Sequence, residues 1–245
     1  MTQIYDAIKG ASWFEKANLA EFIIVGAGGI GSWAAVLASR MNPKSITVID
    51  YDIVEQRNQS GQFYGMYDVG ERKVNALYHS IHTMSGFKIE VINGAFHELN
   101  ITEKLYYINR AYDENLHSSK NIIIYLALDS MKARHEVMKT YEMLLHSENY
   151  PKKLIDEIII MDIRLTADNY QIIPVRGKAD LEYWKKEHGY SDQEVPENDC
   201  TNKQSTFMAT MATSHSMAII ANYWDYKMLP KFISYSYNFN LFETL

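Results

Sequence analysis

Phe22-Ile23-Ile24-Val25-Gly26-Ala27-Gly28-Gly29-Ile30-Gly31-Ser32-Trp33 decides how the rest of this chain is read. Four apolar residues run without a polar break and stop at a glycine, as a strand buried on both faces does. After Gly31, Ser32 to Arg40 is rich in helix formers until Asn42-Pro43 stops it. Ser45-Ile46-Thr47-Val48-Ile49-Asp50 is then a second β-branched strand. The unit is strand, glycine turn, helix, strand. Gly26, Gly28 and Gly31 obey the spacing G-x-G-x-x-G, and this context gives the spacing its meaning. Gly26 permits a tight turn, Gly28 lets backbone approach a phosphate, and Gly31 lets helix and strand pack closely. The helix N-terminus adds unpaired N–H groups and partial positive charge. Asp50, 19 residues after Gly31, stands where a carboxylate accepts ribose hydroxyls.

The alternation continues outward. Asp68 to Met84 reads as a helix, Lys88 to Ile92 as a strand, Ile101 to Arg110 as a helix and Asn121 to Ala127 as an apolar strand. Lys132 to His146 is expected to be helical and Glu157 to Asp162 a strand. Arg176 to Asn202 is polar, without clear periodicity, and is expected to be a long loop. Thr206 to Lys227, rich in Met and Ala, reads as a buried helix, with Met208, Met211 and Met217 available to core or interface. Period-two alternation from Ile233 to Leu241 predicts one half-buried strand. The fold class is therefore α/β and Rossmann-like: a mostly parallel sheet, helices on both faces, and a C-terminal antiparallel strand extension.

Composition excludes several functions. The 245 residues carry a formal net charge of −6, which argues against non-specific nucleic-acid binding. No apolar run reaches the roughly 18 residues of a membrane span, and Met1 to Lys9 shows no signal-peptide pattern. The expectation is a cytoplasmic protein that engages neither membrane nor nucleic acid. The single cysteine, Cys200, rules out an internal disulfide and a paired-cysteine zinc site. His79 and His82 share a helical spacing, but no third ligand stands near them in the sequence.

The glycine turn alone admits either a dinucleotide such as NAD or ATP. Later residues separate the two. Asp50-Tyr51-Asp52-Ile53-Val54-Glu55, Asn58, Gln62, Asp68-Val69-Gly70-Glu71-Arg72-Lys73, Ala127-Leu128-Asp129-Ser130, Arg134 and Met161-Asp162-Ile163-Arg164 follow in order. With the glycine turn, they resemble the ThiF/MoeB family, relatives of the ubiquitin-activating enzymes. The resemblance implies one domain over 1–245: a nucleotide-binding core over 19–175, a crossover loop over 176–205, and a C-terminal helix and strand over 206–245. It also implies ATP-dependent adenylation of the C-terminal carboxylate of a small ubiquitin-like or sulfur-carrier protein, by a homodimer.

On that resemblance ATP is held by Gly26, Gly28, Gly29, Gly31, Asp50, Asp52, Asn58, Gln62 and Lys73, with Mg on Asp129. Catalysis falls to Lys73, Asn58 and Asp129, and to Cys200 if a thioester forms. Lys73 and Asn58 would contact phosphate oxygens, and Asp129 suits a hard cation. Arg134 and Arg164 would brace the site through ion pairs. Read without the family, Asp129 could cap the following helix and Asn58 could shape a turn. Glu197 and Asp199 oppose the lowered thiol pKa that a nucleophilic Cys200 needs. Two departures stand out. The family's arginine before the glutamine is Gly61 here, with Arg57 nearby, and no arginine precedes Arg40. These losses leave open a nucleotide-binding scaffold without chemistry. An NAD-dependent oxidoreductase is the weaker alternative, because Lys73 and Asp129 would then have no task.

Overall fold

The computed structural model describes residues 5–96, 121–148, 152–191, 205–238 and 241–244. Its strands are β1 (Glu21–Val25), β2 (Ser45–Asp50), β3 (Glu90–Asn93), β4 (Ile122–Leu126), β5 (Ile158–Leu165), β6 (Asn169–Val175), β7 (Ile233–Ser236) and β8 (Leu241–Thr244). The described helices are α1 (Phe14–Ala17), α2 (Gly29–Arg40), α3 (Lys73–Ser85), α4 (Met131–Leu145), α5 (Lys152–Ile155), α6 (Gly177–Glu187) and α7 (Thr206–Tyr226). The strands form one sheet in the order β3-β2-β1-β4-β5-β6-β7-β8. β1 to β5 pair in parallel, and β6, β7 and β8 add on antiparallel. Strand order reverses between β1 and β4, so a crevice opens beyond their carboxyl ends, where ligands bind in open α/β sheets.

Alternate residues of each strand feed two cores. One face carries Phe22, Ile24, Ile46, Val48, Ile123, Tyr125 and Met161 against α2, α3 and α7. The other carries Ile23, Val25, Ile124, Ile160 and Ile173 against α4 and α6. β1 and β4 are buried along their whole length, which is why they read as unbroken apolar runs. Met208 and Met217 of α7 belong to the core, while Met211 is exposed.

Four sequence expectations change. Residues 177–187 form α6 rather than a loop, docked through Leu181 and the fully buried Trp184. Its exposed face is so charged that two apolar residues three apart were too thin a stripe to read. Helix α3 starts at Lys73 rather than Asp68, because Met66–Asp68 is a 3-10 turn and Gly70 takes a φ of +91°. The tail is a hairpin of β7 and β8 rather than one strand, since Tyr237 and Asn238 turn. β5 runs on to Leu165. The helix expected over 101–110 and Cys200 lie outside the described residues. No described helix is long and apolar enough to cross a membrane.

Trp184→Ala is expected to lower stability by about 3–5 kcal/mol, measured as the shift in a urea unfolding transition. A loss below about 1 kcal/mol would contradict the docking of α6 through its buried tryptophan.

Candidate nucleotide site

The glycine turn is built by contacts too close for any side chain. Gly26 takes a φ of +95°, and a β-carbon on it would lie 2.3 Å from the Ala127 carbonyl oxygen. A β-carbon on Gly31 would lie 1.7 Å from the Gly26 carbonyl oxygen. The turn is thus clamped between β4 and the first turn of α2. Gly28 faces open space and precedes a helix start that no side chain caps. The N–H groups that open α2 after it therefore have no side-chain cap, as a helix start that receives an anion requires.

Asp50 ends β2 and is nearly buried. Its Oδ2 accepts the Ala27 N–H at 2.6 Å, and its Oδ1 accepts the Asp52 N–H at 2.7 Å. One carboxylate thereby fixes the turn and the loop after β2 together, with lone pairs remaining. Lys73 opens α3, buried, with its ammonium 2.8 Å from Asp52 and its backbone N–H on the Asp52 carbonyl. The loop bearing Gln62 is stitched to α2. The Phe63 N–H donates to Ser32 Oγ at 2.9 Å, the Trp33 indole N–H reaches the Gly61 carbonyl, and the Tyr64 hydroxyl donates to the Ala27 carbonyl at 2.7 Å. Burial holds that tyrosine hydroxyl protonated far above its usual range, with the nearby Asp50 charge adding to the effect.

A cavity of about 670 Å³ joins these parts, within the range of small-molecule sites. Gly26, Gly28, Gly29, Asp50, Asp52, Gln62 and Lys73 line it from one side, and Asp129 beyond β4 lines its middle. Asp129 is exposed, and the N-cap of α4 is Ser130, which accepts the Ala133 N–H. The carboxylate is therefore not consumed in capping. Gly31 lies behind the lining, as its packing role requires. Asn58 is not brought to the cavity; its Oδ1 accepts the Glu55 N–H at 2.7 Å and shapes a turn. Arg57 pairs with Glu55 in solvent and does not replace the arginine that Gly61 displaces. Among the described residues no group of three or more His, Cys, Asp or Glu gathers to hold a metal. A magnesium ion here would rest on Asp129 and phosphate oxygens, a donor set that Mg accepts.

Beyond Asp129 the wall is braced by a carboxylate between two guanidinium groups. Asp162 is fully buried; Arg134 bonds its Oδ1, while Arg164 and the Trp184 indole N–H bond its Oδ2, at 2.8 and 2.7 Å. Arg134 also donates to the carbonyls of Leu126, Leu128 and Ile163, tying the ends of β4 and β5. Burial opposes the charge on Asp162, but Arg134 and then Arg164 outweigh it and hold the carboxyl below the usual range. The bracing role expected of both arginines is seen directly. Asp162 as its centre, Trp184, and the lining residues Thr166, Asn169, Gln171 and Tyr190 were not anticipated. An aspartate inside an apolar strand, two residues from an arginine, was the available signal for the first of these.

A glycine turn clamped on a Rossmann-like sheet, facing a lysine and three aspartates, defines a Rossmann-like α/β protein with a candidate nucleotide site. The ThiF family model matches residues 3–245, and the chain belongs to that family. Ubiquitin-like modifier-activating enzyme 5 of Caenorhabditis elegans is 30% identical over 128 residues, 51% of this chain and 29% of that one. The Rattus norvegicus protein of the same name is 28% identical over 125 residues, 49% of this chain and 30% of its own. The matched segment thus spans about a third of these curated relatives. Among solved structures, PaaA superposes with a TM-score of 0.64 at 14% identity, covering 95% of this chain and 65% of its own. E. coli MccB with ATP gives 0.62 at 13% identity, with the same coverage. Both likenesses speak for the fold.

Two outcomes check this geometry. Gly31→Ala is expected to cost at least about 2 kcal/mol, whereas Gly28→Ala, in open space, is expected to leave the urea midpoint nearly unchanged. Asp162→Asn is expected to cost about 3–5 kcal/mol at neutral pH. Because the folded carboxyl is held low, its contribution is full above the unfolded value of about 3.9 and is lost as pH falls through the folded one. Wild type and Asp162→Asn should therefore converge in stability on acidification, and parallel curves would contradict the assignment.

Proposed function

We propose that this cavity binds ATP with Mg and adenylates the C-terminal carboxylate of a small ubiquitin-like or sulfur-carrier protein, or of a comparable peptide. The observation that carries the reading is the assembly of Lys73, Asp50 and Asp129 around the clamped glycine turn, in one cavity. A dinucleotide oxidoreductase would need the turn and Asp50 but would give Lys73 and Asp129 nothing to do.

In this reading Asp50 accepts ribose hydroxyls with the lone pairs that Ala27 and Asp52 leave. The N–H groups around Gly28 and Gly29 receive phosphate oxygens. Lys73, released from Asp52 or shared with it, supplies fixed positive charge to the phosphates. An oxygen of the substrate carboxylate attacks the α-phosphorus. A new C–O–P linkage forms, the bond to the bridging oxygen breaks, and pyrophosphate leaves with its electron pair. Magnesium, held by Asp129, would neutralise phosphate charge. Gln62 orients the loop beside the phosphates. MccB, of similar fold, has been solved with ATP and with MccA, which supports the reading that this fold takes both. Cys200 as thioester acceptor belongs to the same proposal.

A scaffold that kept the fold without the chemistry is favoured by one observation, the solvent-facing Arg57 beside Gly61. ATP–pyrophosphate exchange separates the two readings. Exchange in the presence of a cognate carrier, reduced about a hundredfold or more by Lys73→Ala and by Asp129→Ala, is the expected result. Mg-ATP binding in calorimetry without exchange for any carrier would favour the scaffold. NAD binding alone would overturn both.

A further inference from the structure

The hairpin of β5 and β6 walls the far end of the cavity, and the two faces of β6 differ. Tyr170 and Ile172 turn to the core shared with α7. Gln171 turns the other way and lines the cavity. It is paired directly with Arg164 on β5 and with Ser234 on β7, so the three side chains stand in one row across the strands. Farther along the same face, Ile173 and Val175 are buried in the core that includes Leu181 of α6, whereas Gln171 and Ser234 stay half-buried. Other polar groups of this wall are already occupied. Arg164 is spent on Asp162 and on the His188 carbonyl. Thr166 and Asn169 close the turn between β5 and β6 with Asp168. The Gln171 amide and the Ser234 hydroxyl are different: among the described residues neither has a hydrogen-bond partner, and neither is sealed from solvent.

We propose that Gln171, with Ser234 behind it, reads the main chain of an extended C-terminal tail. The pair then restricts activation to the ends of polypeptides, over free amino acids and small carboxylic acids. The inference rests on the adenylation reading of the same cavity. With the nucleotide at the glycine turn and its phosphates near Asp129, the carboxylate to be activated arrives from the Gln171 end. A tail that reaches it crosses β7, β6 and β5 in turn. From β7 to β5 is two strand spacings, about 9.6 Å, which about three residues of extended chain span. An amide offers one carbonyl oxygen and two N–H donors, and a hydroxyl both donates and accepts. Both match the C=O and N–H of peptide groups, and neither selects a charge. Because the contacts go to the main chain, a terminal glycine is accepted like any other residue.

The test uses an octapeptide ending in Gly-Gly with a free carboxylate, and four analogues in which one of the last four peptide bonds is an ester. Mg-ATP–pyrophosphate exchange is followed for each, with N-acetylglycine as the short control. An ester lacks the N–H and is a poorer acceptor. At the bond that Gln171 reads, it should raise KM about fivefold or more with little change in kcat. Gln171→Leu should raise KM for the parent peptide about tenfold and abolish the ester penalty at that bond alone. Ser234→Ala should abolish the penalty at a bond farther from the carboxylate, and serves where Gln171→Leu folds poorly. N-acetylglycine should exchange about tenfold or more weakly than the octapeptide. Equal exchange by the two, an ester penalty that does not depend on position, or penalties unchanged in the folded variants would overturn the reading of the main chain while leaving adenylation standing. Exchange with neither, by protein that binds Mg-ATP, would overturn the adenylation of short chain ends and this inference with it.

Discussion

Everything at the glycine-turn end of the cavity depends on two backbones touching where no β-carbon fits. With Gly31 set against the Gly26 carbonyl, and Gly26 against that of Ala127, helix α2, β1 and β4 meet at one point. The helix N-terminus is thereby brought to the crevice where strand order reverses. Asp50 then has a fixed N–H, that of Ala27, to hold, and its second oxygen holds the loop leading to Lys73. A side chain at either glycine would separate helix from strand. The donor groups, the carboxylate and the lysine would then lose their common origin.

The other end is organised by charge. Burying an ion pair is seldom a gain over a well-packed apolar core, so the Asp162 cluster is weak as an account of stability. It is stronger as an account of geometry. Arg134 reaches backbone carbonyls on both β4 and β5, and Arg164 reaches the chain just after α6. Trp184 closes the cluster from α6 itself. Two strand ends and a helix are thereby referred to one carboxylate. The cavity wall takes its shape from hydrogen-bond directions that apolar packing would not specify.

These two constructions explain what was legible in the sequence. The glycine turn, Asp50 and the alternation of strands lie within a short stretch whose geometry follows from local rules, and β1, β2, β4 and α2 emerged nearly at their observed bounds. Lys73 and Asp129 were legible only through the order of motifs, since a lysine opening a helix and an aspartate after a strand mean little alone. Asn58 shows the limit of that method: the motif position is kept, but the side chain serves its own turn. Helix α6 was missed because its signal is tertiary. Leu181 and Trp184 matter for what lies beneath them, and nothing near them in sequence says so.

The same division bears on how such a cavity acquires its substrate. The glycine-turn end is set by backbone contacts that tolerate almost no change, so the place of an anion there is fixed once the turn is made. The far end is set by side chains on β5, on β6 and after α6, each replaceable without disturbing the glycine clamp. Gln171 can change while Asp50 still holds Ala27. Arg164 is the exception, being bound both to the brace and to the cavity. A residue so placed makes a charge on the cavity wall part of the wall's own structure, and replacing it would require rebuilding the contact between β5 and the chain after α6.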